Sequence, residues 1–266
     1  MKIKYLIPIL ITILSTSCKK DSQITEEPVK TGKISFQFFH YADGQPLVVD
    51  TMEYINAAGN HYDINEIQYF ISDITLHRIG GDDVVIKEAN GIHYIDTDIP
   101  STRSWTVSDA IPVGNYTSMS FTFGINQIKN QSLMFVNPPE NDMMWPDYIG
   151  GGYHYMKMNG HWKDLNNIIQ PFGFHLGIGQ IYDSVNQSTI IGFVQNYFTV
   201  TMPNSSFSIV ENATTKTGIT MNIESWFATP HVYDLNVWGG SIMQNQAAMH
   251  TVAENGADAF SFQLIP

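Results

Sequence analysis

The stretch "KISFQFFH", Lys33 to His40, places Ile34, Phe36, Phe38 and His40 at every second position. A period of two is the mark of a strand with one buried face, so those four side chains share a side. The same signal recurs downstream. "YTSMSFTFGI" (Tyr116 to Ile125) sets Met119, Phe121 and Phe123 against Ser118, Ser120 and Thr122. "IGFVQNYFTVT" (Ile191 to Thr201) and "GITMNIESWF" (Gly218 to Phe227) are rich in β-branched and aromatic residues and bounded by Gly, Pro or Asn. "INEIQYFISDITLHRI" (Ile64 to Ile79) reads either as two strands meeting at Ser72-Asp73 or as one long bent strand. Only the last forty residues or so read as helical. There "SIMQNQAAMHTVAENG" brings Met243, Ala247 and His250 to helical spacing, with Gly256 as a stop. No fixed-period repeat, glycine-rich phosphate loop or composition shift divides the chain. The expected fold is all-β: one antiparallel β-sandwich with long loops and a short C-terminal helix.

The N-terminus predicts export. Lys2 and Lys4 precede the apolar run "YLIPILITIL", which is too short to span a bilayer as a mature helix. It is followed by "STSCKKD", which holds the single cysteine, Cys18. Residues 1–17 therefore read as a lipoprotein signal peptide cleaved before Cys18, whose thiol takes the lipid. The ending resembles lipoproteins of Bacteroidetes-type bacteria. Residues 18–32 are charged and nearly free of apolar side chains, as a flexible tether would be. Residues 33–266 form the expected single domain. The expected location is the cell envelope, lipid-anchored to the outer membrane. A net charge of −12 makes nucleic acid an unsuitable partner. With Cys18 committed to lipid, no thiolate is left for a disulfide or a metal.

One loop stands out. From Asn126 to Lys163 the expected connection is longer than most, and it contains "MMWPDYIGGGYHYMKMNGHW" (Met143 to Trp162). Core volume is supplied more simply by Leu, Ile and Val than by this mixture of Trp, Met, Tyr and His, so the stretch reads as part of a site. His154 follows three glycines and stands at strand spacing from Met156 and Met158. His175, in "PFGFHLGIG", sits between Gly173 and Gly177 on the face opposite Phe172, Phe174 and Leu176. Flanking glycines leave room above the ring for an ion or a second backbone. His40 closes an apolar strand face, where a histidine is more often a core residue than a ligand. His61, His77, His93, His161 and His231 have no supporting pattern. Histidine with soft or neutral donors suits copper better than calcium or magnesium. Such a site would weaken as imidazole protonates, through about pH 6.5 for ordinary histidines. No His-Glu-x-x-His helix, nucleophile elbow or evident carboxylate pair argues for an enzyme.

The ordered succession "FFHYADGQPL", "YINAAGNHYDINEIQYFISDITL", "MMWPDYIGGGYHYMKMNG", "FGFHLG" and "AAMHTVAENGADAFSF" resembles the MbnP-like copper-binding family. These are methanobactin-associated periplasmic proteins and their lipoprotein relatives. The likeness spans nearly the whole chain from about Lys33. It implies a non-catalytic protein that handles copper through histidines, with a tryptophan oxidised to kynurenine by a partner di-haem enzyme of the peroxidase type. Trp145 matches the family's Met-Trp position, and His175 its Phe-x-His-Leu-Gly position. His40 falls at a first-strand position often polar in the family. The candidate site is thus His175, His40 and His154 for copper, Trp145 as modified residue or ligand, and Met143 and Met144 as supporting soft donors. The sequence departs from the family in reading Trp145-Pro146-Asp147 where Trp-x-Trp is usual, and in placing His154 where a basic residue is usual. An alternative from another class is a surface module for glycans or for an outer-membrane uptake receptor, supported by the aromatic side chains.

Overall fold

The computed structural model describes residues 28–266. The signal-like run and Cys18 lie outside the described residues. The alternation in "KISFQFFH" becomes β1 (Thr31–Ala42), with Ile34, Phe36 and Phe38 buried and Lys33, Ser35 and Gln37 turned away. The long bent reading of the next apolar segment holds: β2 runs unbroken from Glu66 to Arg78. Its bend is local. Asp73 adopts φ 55°, and the pairing with the neighbouring strand shifts register between Ser120 and Thr122, a bulge that absorbs the extra residue. Then follow β3 (Ile92–Asp96), β4 (Gly114–Phe123), β5 (Met156–Lys163), β6 (Ile169–Leu176), β7 (Phe198–Met202), β8 (Thr214–Asn222) and β9 (Phe260–Leu264).

Two sheets result. The larger runs β7-β4-β2-β5-β6, with β3 also paired to β2. The smaller runs β9-β8-β1. Their inner faces meet in one core that joins Phe36 and Phe38 to Tyr69, Phe121, Phe123, Met158 and Phe174. Burying each such side chain contributes about 1.5–3 kcal/mol. The expected sandwich is present. One pairing departs from antiparallel: β1 lies parallel to β8, from Lys33 opposite Thr214 to Tyr41 opposite Asn222. A parallel pair needs a crossover, and here the whole larger sheet supplies it.

Three further differences have clear causes. The segment expected as one long loop ends at Tyr155, because "MKMNGHWK" is β5, a strand inside the larger sheet. Met156 and Met158 are core side chains of that strand and do not share a side with His154. The C-terminal helix exists (Gln246–Gly256) but is rotated from the expected phase: Ala248, Met249, Val252 and Ala253 are buried while Ala247 and His250 face solvent. Gly256 serves close packing against Trp226, since a Cβ there would collide with the indole. Lastly, the chain ends in a strand, β9, which the helical reading of this region missed.

Candidate metal centre

The outer face of the larger sheet is where the unusual residues gather. Glu66, Gln68 and Phe70 of β2 point away from the main core, as do Lys157 and Asn159 of β5 and His175 of β6. The segment before β5 folds back over this face. It builds a second small core from Phe70, Ile92, Tyr94, Ile125, Met143 and Tyr153.

A tight turn gives that segment its shape. Gly150, Gly151 and Gly152 take φ values of 128°, 67° and 78°, a run of conformations that L side chains rarely adopt. The turn returns the chain against itself. The Trp145 N–H donates to the Gly152 carbonyl (2.8 Å), and the His154 N–H donates to the Met143 carbonyl (2.7 Å). Neighbours pin the turn, with Ser132 Oγ accepting from the Gly152 N–H and Asn130 Oδ1 from the Tyr153 N–H. The glycines therefore serve to place Trp145 beside His154.

Trp145 is fully buried. Its Nε1–H donates to the Ile149 carbonyl at 3.2 Å, and its benzo ring lies against Gly177. The Trp145 and His154 rings stand edge to face at 4.6 Å between centroids, and His154 meets His175 at 5.3 Å in the same manner. The structure thus brings together Trp145, His154 and His175 in one contiguous row.

Hydrogen bonding fixes the histidine tautomers. His154 Nδ1 lies 3.0 Å from the Met143 carbonyl, which only accepts, so Nδ1 carries the proton. His154 Nε2 then presents a lone pair, is buried, and has no partner. His175 Nε2 lies 2.9 Å from Asn159 Oδ1. That amide oxygen only accepts, and Glu66 stands opposite Asn159 across the β2–β5 pair. His175 Nε2 therefore donates and its Nδ1 is left as the base. Gly173 clears this bond: an added Cβ would sit 3.1 Å from His175 Nε2 and 3.3 Å from Asn159 Oδ1.

Both rings are neutral at pH 7. Burial, aided by the nearby Lys157 cation, lowers the pKa of His154 to about 3 and that of His175 to about 4. Lys157 sits directly opposite His175 across the β5–β6 pair. Its own pKa is lowered by burial, and its ammonium donates to the Asp142 carbonyl.

His40 does not join this group. Its ring packs edge to face on Tyr69 at 5.7 Å. Tyr69 is a core residue opposite Met156, on the inner face of the larger sheet, whereas His175 and Lys157 occupy the outer face. The sheet itself separates them, so His40 drops out as a co-ligand of His175. Met143 and Met144 also differ from expectation. Their side chains pack with Phe70 and its neighbours, and what Met143 gives the site is its carbonyl oxygen. Several other histidines are engaged elsewhere: His77 with Asp83 and Ser120, His93 with the Thr102 carbonyl, His161 with Asp63 and His231 with Glu254. Among the described residues no group of three or more His, Cys, Asp or Glu side chains converges. A metal here would take two histidine nitrogens, and any further donor from a less usual source. The buried, unpartnered His154 Nε2 beside a second free imidazole base fits such an ion. Sequence reasoning passed over Asn159 and Lys157, whose relevance appears only once the β5–β6 register is known.

Comparison with known proteins agrees with this architecture. The MbnP family model matches residues 31–246, and the chain belongs to the MbnP family. The solved structure of MbnP from Methylosinus trichosporium superposes with a TM-score of 0.57 at 14% identity, covering 90% of this chain and 100% of that one. At that identity the likeness shows the fold. No curated protein matches the chain significantly.

Proposed function

We propose that this chain is a non-catalytic copper-binding protein of the cell envelope, with His154 and His175 as the protein ligands. The observation that carries the reading is the His154 ring, held by the Met143 carbonyl, with a buried and unpartnered Nε2, in edge-to-face contact with a second imidazole. Imidazole accepts either oxidation state of copper, and a buried pair held neutral needs no deprotonation before it binds. Lys157 works against any cation at this site, and Glu66 and Asp142 moderate its charge.

Trp145 is the third element of this proposal. Its ring touches His154 and can be oxidised to kynurenine by a partner di-haem enzyme of the peroxidase type. Ring opening converts an indole N–H, a donor only, into an aniline nitrogen able to act as a neutral ligand. Attachment of lipid to Cys18 would hold the domain at the outer membrane by its tether. The test is titration of the metal-free protein with Cu(I) against a competing chelator. Stoichiometric uptake of one copper supports the reading, and absence of uptake by protein carrying the modified Trp145 overturns it.

A further inference from the structure

The relocation of His40 leaves a second feature without a role. A cleft of about 610 Å³ opens between β1, the short strand Gln45–Pro46 and the turn Pro100–Arg103. That volume lies within the range of small-molecule sites. Its walls are largely apolar, with Phe38, Leu47, Val49 and Pro100 among them. Two basic side chains line it. Arg103 has a buried Nε without a partner, and among the described residues its guanidinium makes no ion pair. His40 is 7% exposed, and its Nε2 is likewise unpartnered.

Charge makes this arrangement unusual. The chain carries 25 Asp and Glu against 13 Lys and Arg, yet no acidic side chain lines the cleft. Partly burying a guanidinium without an acceptor is unfavourable unless something else supplies one. A carboxylate matches the guanidinium fork with two parallel hydrogen bonds, and a neutral imidazole N–H can donate a third. The apolar walls would cover the body of such a molecule.

We propose that the cleft beside His40 and Arg103 binds a small organic carboxylate with an apolar body, at a site separate from the His154–His175 pair. Arg103 holds the carboxylate, His40 donates to it, and Phe38, Leu47 and Val49 pack against the remainder. The inner position of His40 and the outer position of His175 on the larger sheet make the two sites independent.

Calorimetric titration of the full domain with benzoate and octanoate tests this, with benzamide as the uncharged control and inorganic phosphate as the competing anion. Saturable binding of at least one carboxylate is expected, weakened tenfold or more by Arg103→Gln, with no binding of benzamide. In the wild-type protein the His40 imidazole resonances should shift on carboxylate addition while those of His175 stay in place, a readout that needs no variant to fold. Absence of saturable carboxylate binding, equal affinity in a folded Arg103→Gln variant, equal binding of benzamide or phosphate, or a shift at His175 alone would each overturn the proposal.

Discussion

Trp145 lies against the backbone of Gly177 so closely that a Cβ added to the glycine would come within 2.6 Å of the indole. The contact sets how far the ring can swing from His154. Gly177→Ala should force the ring outward and destabilise the fold by about 1–3 kcal/mol, the usual cost of overpacking a filled core. Copper affinity should fall with it. Denaturant unfolding and copper competition on one preparation measure both effects, and an unchanged midpoint would mean the indole has slack.

Removal of the histidines separates ligands from bystanders. His154→Ala and His175→Ala should each weaken copper binding at least tenfold. His77→Ala should leave it unaltered, because His77 is engaged with Asp83 and Ser120. His40→Ala should also leave copper affinity unaltered, since the larger sheet lies between it and the pair. Competition titrations of the four variants decide this, and a loss in His40→Ala equal to that in His175→Ala would contradict the separation.

The pH dependence follows from burial. An ordinary histidine site weakens below about pH 6.5. Here the folded values are about 3 for His154 and about 4 for His175, so protons compete only near those values. Copper affinity should be nearly flat from pH 7 to pH 5. A steep fall beginning at pH 6.5 would mean that the rings are solvated.

The same burial makes the fold acid-sensitive. His40 and His154 are neutral when folded, with pKa values near 4 and 3, while unfolded histidine titrates near 6.5. Unfolded chains therefore take up protons first. The stability these residues contribute is complete above about pH 6.5 and declines as pH falls toward 4, by up to about 3 kcal/mol for each. Denaturant midpoints measured from pH 7 to pH 4.5 should fall steadily, and His154→Gln should flatten the slope.

Trp145→Phe should fold with a loss of about 1–3 kcal/mol, because a large buried ring is replaced by a smaller one. The Ile149 carbonyl stays satisfied by Gln180 Nε2 at 2.7 Å, so no orphaned acceptor adds to the cost. Protein made without a partner oxidase should keep an intact indole and bind copper less tightly than protein from the native host. Peptide mass spectrometry of native material reads the modification directly, and an unmodified Trp145 with copper fully bound would remove kynurenine from the proposal.

Anchoring has its own test. Cys18→Ser should release the protein from membranes or block its processing. A variant that is processed and stays membrane-bound would end the lipoprotein reading.

Period-two patterns made β1, β2 and β4 legible, because a strand with one buried face writes its burial into alternate letters. The same logic correctly put His175 opposite Phe172, Phe174 and Leu176. What stayed hidden depends on partners distant along the chain. Nothing within "MKMNGHWK" announces that Lys157 will stand opposite His175, or that Asn159 will hold its ring, since register is set by strands elsewhere in the chain. His40 illustrates the reverse limit. Its place on an apolar face was plain in the sequence, but which sheet would cover that face was not. Trp145, which the sequence places in a long loop, is interior because Gly177, supplied by another segment, has no side chain.

The parallel contact between β1 and β8 has a consequence for the order of folding. The first strand meets Gln45–Pro46 and Ser104–Thr106 early, but its long pairing with β8 must wait until more than two hundred residues have been made, and the ion pair of Lys30 with Glu211 links positions 181 apart. Such long-range closure is slow, as contact-order trends require. The register of β1 is therefore secured late in folding. Folding would be complete only once β8 is in place, so closure of the smaller sheet defers maturation of the whole domain.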